Sequence, residues 1–168
     1  MAGHIVLVGL MGSGKTTVGR LLAERLDCPF VDSDHSIEAR TGRTVREIWQ
    51  ADGEAAFRRL EAEALAEALD APEPSVIAAA GGVVLAEANR DRLRKAALVV
   101  WLRGEATLLA QRAVLSDHRP LLDGDPAAVL ARMSGDRWPL YDQVADHLID
   151  VDGLLPDAVV SRVEELVR

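Results

Sequence analysis

Cysteine is almost absent: among 168 residues only Cys28 carries a thiol. No intrachain disulfide can form, and a zinc site built from cysteines is excluded. Basic side chains are also scarce, 19 against 27 acidic ones, for a formal charge of −8. That balance opposes general attraction to nucleic acid or anionic lipid, so any anion must be held by a local cluster. No apolar run approaches the ~18 residues of a membrane span, and the short N-terminal run lacks a basic leader. Repeats and low-complexity tracts are missing. Aromatic residues make up 4% of the chain, and Trp49, Trp101 and Trp138 read as packing residues rather than ligand contacts. Together these absences predict a cytoplasmic monomer with no nucleic-acid or membrane partner. One domain over 1–168 is expected, since an apolar fraction of 49% is ample for a single core.

What is present begins with Gly9-Leu10-Met11-Gly12-Ser13-Gly14-Lys15-Thr16, which satisfies every fixed position of the phosphate-cradling pattern G-x-x-x-x-G-K-[ST]. It follows the apolar run Ile5–Val8 and opens a helical pattern, Gly14–Leu26. Glycines let backbone N–H groups turn inward on a polyphosphate, and a helix N-terminus adds positive potential. Lys15 supplies a point charge and Thr16 a hydroxyl for a metal ion. The pattern therefore marks a nucleoside triphosphate site.

Further runs rich in β-branched or apolar residues fall at Pro29–Val31, Ser75–Ala79, Ala97–Leu102 and His147–Val151, with helical patterns between them. This alternation predicts a three-layer α/β/α architecture around a five-stranded parallel sheet. Ser33–Arg40 reads as a helix ended by Gly42, Thr44-Val45-Arg46-Glu47 as a capping box, and Asp52 as a cap for Gly53–Leu69. Residues 113–126 are polar and proline-broken, the composition of a mobile lid that excludes water from a reacting phosphate.

Asp32 and Asp34 close the second strand, at the sheet edge where ligands bind. One carboxylate there can reach a magnesium ion through its water shell; the other can accept a hydrogen bond, and later the proton, of an attacking hydroxyl. Asp32 is equally placed to cap the next helix. Arg58 stands one turn before Glu61, which can brace it. Arg58, Arg119 and Arg137 are candidates for a substrate carboxylate, and Gly81-Gly82 permits close backbone approach.

With these residues in hand, the chain resembles the shikimate kinase family. The likeness rests on the phosphate loop, Asp32-Ser33-Asp34, Phe57-Arg58-Arg59-Leu60-Glu61, Gly81-Gly82, Arg119-Pro120-Leu121-Leu122 and Arg137-Trp138-Pro139-Leu140-Tyr141, in order. It implies a P-loop kinase that uses ATP with Mg2+ to convert shikimate to shikimate 3-phosphate. By this likeness Gly12, Ser13, Gly14, Lys15, Thr16 and Thr17 wrap the phosphates, and Arg112 and Pro156 flank the adenine. Asp34, Arg58, Gly81, Gly82 and Arg137 hold shikimate, with a substrate-binding helical region near 33–61. Lys15, Asp34 and Arg119 act at the reacting phosphoryl group, and Thr16 and Asp32 serve the metal. One departure stands out: Ala80 replaces the first of the family's three glycines, and a left-handed backbone there would be strained. The rival readings are a kinase for gluconate or a nucleotide, and a non-catalytic nucleotide-binding regulatory module. The Asn-Lys-x-Asp string of guanine-specific switches is missing.

Overall fold

The computed structural model describes residues 3–114 and 124–167. Strands β1 (His4–Val8), β2 (Phe30–Asp32), β3 (Val76–Ala78), β4 (Ala97–Arg103) and β5 (His147–Asp150) form a parallel sheet in the order β2-β3-β1-β4-β5. All five residues of β1 are buried, as a central parallel strand covered on both faces requires. Side chains alternate across the sheet. Ile5, Leu7, Val76, Val100 and Leu102 meet helices α1 (Lys15–Leu26) and α7 (Pro156–Val167) through Val18, Leu22, Val160 and Val163. Val6, Val8, Ile77, Val99 and Trp101 face the other layer, built by α3 (Val45–Asp70), α4 (Glu87–Ala96), α5 (Ala106–Val114) and α6 (Pro126–Val144). The three-layer α/β/α architecture with five parallel strands is therefore as anticipated.

A smaller apolar cluster of Ile37, Ile48, Phe57 and Ala64 joins α2 (Ser33–Thr41) to α3. Its ends follow local chemistry. Gly42 closes α2 in the left-handed region at φ 66. Thr44 and Glu47 form a reciprocal capping box at the start of α3. Gly53, at φ 81, interrupts the path of α3, so the capping-box helix and the long segment meet at a kink at the break the sequence suggested. Most of the lid expected over 113–126, with Arg119, lies outside the described residues. Beyond it Asp125 caps α6, its carboxylate accepting from the N–H groups of Ala127 and Ala128.

Topology decides where a ligand goes. Strands β1 and β3 are neighbours, yet the chain leaves β1 toward β2 and leaves β3 toward β4 on the opposite side. Their carboxyl-end loops diverge and open a crevice, as at the switch points of other open α/β sheets. One wall of that crevice is fixed by packing: Gly12, at φ +78, lies so close to α5 that a Cβ would sit 2.4 Å from the Leu109 carbonyl oxygen. Gly12→Ala should therefore lose roughly 2 kcal/mol or more of stability from overpacking and left-handed strain. Thermal unfolding without nucleotide checks this; an unchanged melting temperature would contradict it.

Candidate active site

The phosphate loop leaves β1 and delivers α1 with Gly14 at its N-cap position, where no side chain caps the helix and no acid stands in its first turn. Those first-turn N–H groups are thus available to an anion. Lys15 arches over the loop, its Nζ donating to the carbonyls of Gly9 at 2.8 Å and Leu10 at 3.1 Å. An ammonium held there by backbone oxygens adds positive charge at the spot the loop encloses. Ser13, also expected at the phosphates, is 2% exposed, buries its hydroxyl, donates its N–H to the Leu10 carbonyl at 3.2 Å and does not line the cleft beside the loop.

Asp32 performs two tasks with its two oxygens. Oδ1 caps α2, accepting from the N–H groups of Asp34 at 3.1 Å and His35 at 3.3 Å, while Oδ2 accepts from the Thr16 hydroxyl at 2.6 Å. Capping and a metal role are therefore compatible in one residue. The hydroxyl and carboxylate form a hard oxygen pair beside the phosphate cradle, which fits Mg2+: this ion takes one or two protein oxygens and completes its shell with phosphate and water. Among the described residues no cluster of three or more His, Cys, Asp or Glu competes for a metal.

A cleft of about 550 Å³ runs from this loop to the α2–α3 region. Gly12, Gly14, Lys15, Thr16, Thr17, Asp32, Asp34, Arg58, Gly81, Gly82 and Arg137 all line it, so residues far apart in the chain share one space. Arg58 is tightly held. Its Nη1 donates to Glu61 at 2.5 Å, its Nε and Nη2 reach Glu54 at 3.4 and 3.3 Å, and its guanidinium lies 5.4 Å from the Trp49 ring centre. Glu61 is 3% exposed and Arg58 21%, which makes this a largely desolvated pair. Burial pushes the Glu61 carboxyl above the ordinary glutamate range, with Arg58 opposing the rise. Gly82 has no room for a side chain, since a Cβ would fall 1.8 Å from Arg58 Nη1.

Arg137 comes from α6 and is 6% exposed. One turn later the fully buried Tyr141 donates its hydroxyl to the Gly81 carbonyl at 2.6 Å. Burial raises the Tyr141 hydroxyl pKa well above its usual value, although Arg137 works against the shift. Ala80 lines the cleft without strain: among the described residues Asp27 is the only non-glycine with positive φ.

Trp49 packs as anticipated and has a second face. It does pack edge-on against Phe57 at 5.5 Å, yet it also lines the cleft beneath Arg58, which packing alone would not require. Trp101 and Trp138 pack against each other as anticipated. Residue order alone assigned no role to Glu54, or to Tyr141 beyond its place at the end of the Arg137–Tyr141 motif. The four-residue spacing of Glu54 to Arg58 was a readable signal; Tyr141 gave none, because its partner is 60 positions away. Arg112 and Pro156 do not line the cleft, although Leu109, one turn before Arg112, abuts the phosphate loop.

The family model for shikimate kinase matches residues 11–168. The chain belongs to the shikimate kinase family. It is 50% identical over 167 residues to the shikimate kinase of Symbiobacterium thermophilum, covering 97% of this chain and 95% of that one. Its structure is similar to that of shikimate kinase from Acinetobacter baumannii in complex with shikimate. The TM-score is 0.94 at 37% identity, over 98% of this chain and 92% of that one. A gluconokinase from Sinorhizobium meliloti superimposes with a TM-score of 0.56 at 22% identity, over 98% of this chain and 95% of that one, a likeness of fold alone.

The buried Glu61 gives this member of the family a pH signature. A carboxyl whose folded pKa is raised keeps its proton to higher pH than in the unfolded chain, so ionisation is what folding penalises. Its contribution is full below the ordinary glutamate value of about 4.3 and is lost as pH climbs through the raised folded value. Wild type should therefore lose stability relative to Glu61→Gln across that interval. Urea unfolding of both proteins over a pH series tests this, and parallel curves would contradict it.

Proposed function

We infer that this chain transfers the γ-phosphoryl group of ATP to a hydroxyl of shikimate, giving shikimate 3-phosphate and ADP on the route to chorismate and the aromatic amino acids. The observation that carries the reading is the meeting, in one cleft, of the phosphate loop with Arg58, Arg137 and the glycine pair. A planar carboxylate is the natural guest of two guanidinium groups. Against a net charge of −8, such a pocket selects an acid by local charge. A nucleobase acceptor has no use for it. A neutral polyol would leave both arginines unanswered.

In this reading Arg58, held by Glu61, and Arg137 clamp the carboxylate of shikimate, and the Gly81–Gly82 backbone closes on the ring. Asp34, at the start of α2, accepts a hydrogen bond from the hydroxyl that attacks the γ-phosphorus. The new O–P bond forms as the bond to the β–γ bridging oxygen breaks, and the hydroxyl proton leaves toward Asp34. Charge in such a loose transition state spreads over the transferred oxygens, so positioning and positive charge supply most of the acceleration. Lys15 and the backbone of Gly12, Gly14, Thr16 and Thr17 provide this around the phosphates. Thr16 and Asp32 would hold Mg2+, which when bound neutralises charge on the β- and γ-phosphates. By family likeness Arg119 adds a second cation at the moving group, and Arg112 and Pro156 enclose the adenine. In the same reading the protein is a monomer acting in the cytoplasm; separately, among the described residues no helix is long and apolar enough to cross a membrane.

A coupled ADP-release assay across shikimate, gluconate and nucleoside monophosphates tests the assignment, first with Mg2+ and then with chelator. Turnover with shikimate alone, abolished by chelation, is the expected result; turnover with gluconate and none with shikimate would overturn it. Lys15→Met should lower kcat by about a hundredfold or more with the circular dichroism spectrum unchanged. A near-normal rate in that variant would remove the lysine from the mechanism.

A further inference from the structure

Tyr141 lies outside the set of residues assigned to ligands above, yet it joins two of them. Its hydroxyl donates to Gly81 at 2.6 Å, and it is a fully buried side chain. The point where a Gly81 Cβ would stand lies 3.4 Å from Arg137 Nη1 and 3.6 Å from the Tyr141 hydroxyl oxygen, so all three groups crowd one spot. The ring is steadied by Trp101, whose centre is 5.6 Å away, and Arg137 precedes Tyr141 by one helical turn on the same face. No peptide is cis among the described residues. In a trans peptide the N–H points opposite to the C=O, so capture of the Gly81 carbonyl by Tyr141 settles which way the Gly82 N–H is turned.

We propose that Tyr141 is a positioning residue for the acceptor substrate: by holding the Gly81 carbonyl beside Arg137, it aims the Gly82 N–H and the Arg137 guanidinium together at the substrate carboxylate. The role rests on the reading of the cleft as a shikimate site. Because burial holds the hydroxyl pKa far above its ordinary value, the group remains a donor throughout the pH range of an assay. Phenylalanine would keep the ring and its packing but strand a buried carbonyl, and the peptide plane would then be free to turn toward other donors.

The test is steady-state kinetics of Tyr141→Phe with shikimate and ATP varied in turn, beside thermal unfolding. KM for shikimate should rise about tenfold, the scale of one lost buried hydrogen bond, while KM for ATP is unchanged and kcat stays within about threefold. Leu130→Ala provides the comparison, since Leu130 is fully buried on the same helix but does not line the cleft. It should lower the melting temperature and leave both KM values alone. An unchanged shikimate KM in Tyr141→Phe, or equal losses toward ATP and shikimate, would reduce Tyr141 to a packing residue. Wild-type enzyme that fails to turn over shikimate would instead overturn the function itself, and this role with it.

Discussion

Everything in the acceptor half of the cleft depends on a buried carboxylate. Glu61 is desolvated by the packing of α3, a penalty on its charge that Arg58, 2.5 Å away, offsets only in part. The pair is mutually enforced. Arg58 cannot swing to water without abandoning an anion in the interior, a loss that for buried pairs is on the order of 3–5 kcal/mol. An arginine on a flexible stem thereby becomes a rigid part of a wall, its Nη1 held by Glu61 and its Nε and Nη2 reaching the more exposed Glu54. The aromatic faces of Trp49 and Phe57 limit its remaining freedom. Gly82 completes the enclosure, because a side chain there would displace that guanidinium.

The donor half works by a different principle. Backbone rather than a buried pair shapes it: an uncapped helix N-terminus and glycines at positive φ present N–H groups suited to an anion. Lys15 is tethered to the loop's own carbonyls, and Thr16 to Asp32. Asp32 links the halves, since the same carboxylate that meets Thr16 caps the helix bearing Asp34. A shift of α2 would therefore be felt at the phosphate loop through one side chain.

Helix α6, in the same layer as α3, brings a second arginine to the cleft. Its residues Trp138 and Tyr141 pack on Trp101 of β4, and the same helix carries Arg137 to the crevice. The indole pair and the buried tyrosine form a base that resists tilting, so Arg137 reaches the glycine wall although it lies more than fifty positions further along the chain. Positive charge in this protein is local and structurally supported, which is how a strongly acidic molecule can accommodate an acidic substrate beside a triphosphate.

Much of this was legible from residue order because the rules involved are local. The glycine pattern after an apolar run, the capping box at Thr44 and the one-turn spacing of Arg58 to Glu61 each depend on neighbours within a few positions. The alternation of strand and helix was enough for a parallel sheet, since parallel strands need crossovers. What the sequence by itself determined was thus the kind of fold, the phosphate chemistry and a set of candidate residues that the fold brings into one cleft. Tertiary structure alone decided that Glu61 is desolvated, that Trp49 faces a ligand space as well as a core, and that Tyr141 closes on Gly81 across 60 positions. The physical reason is that burial and long-range hydrogen bonds are properties of packed surfaces meeting in space, and no periodicity along a chain encodes which surfaces will meet.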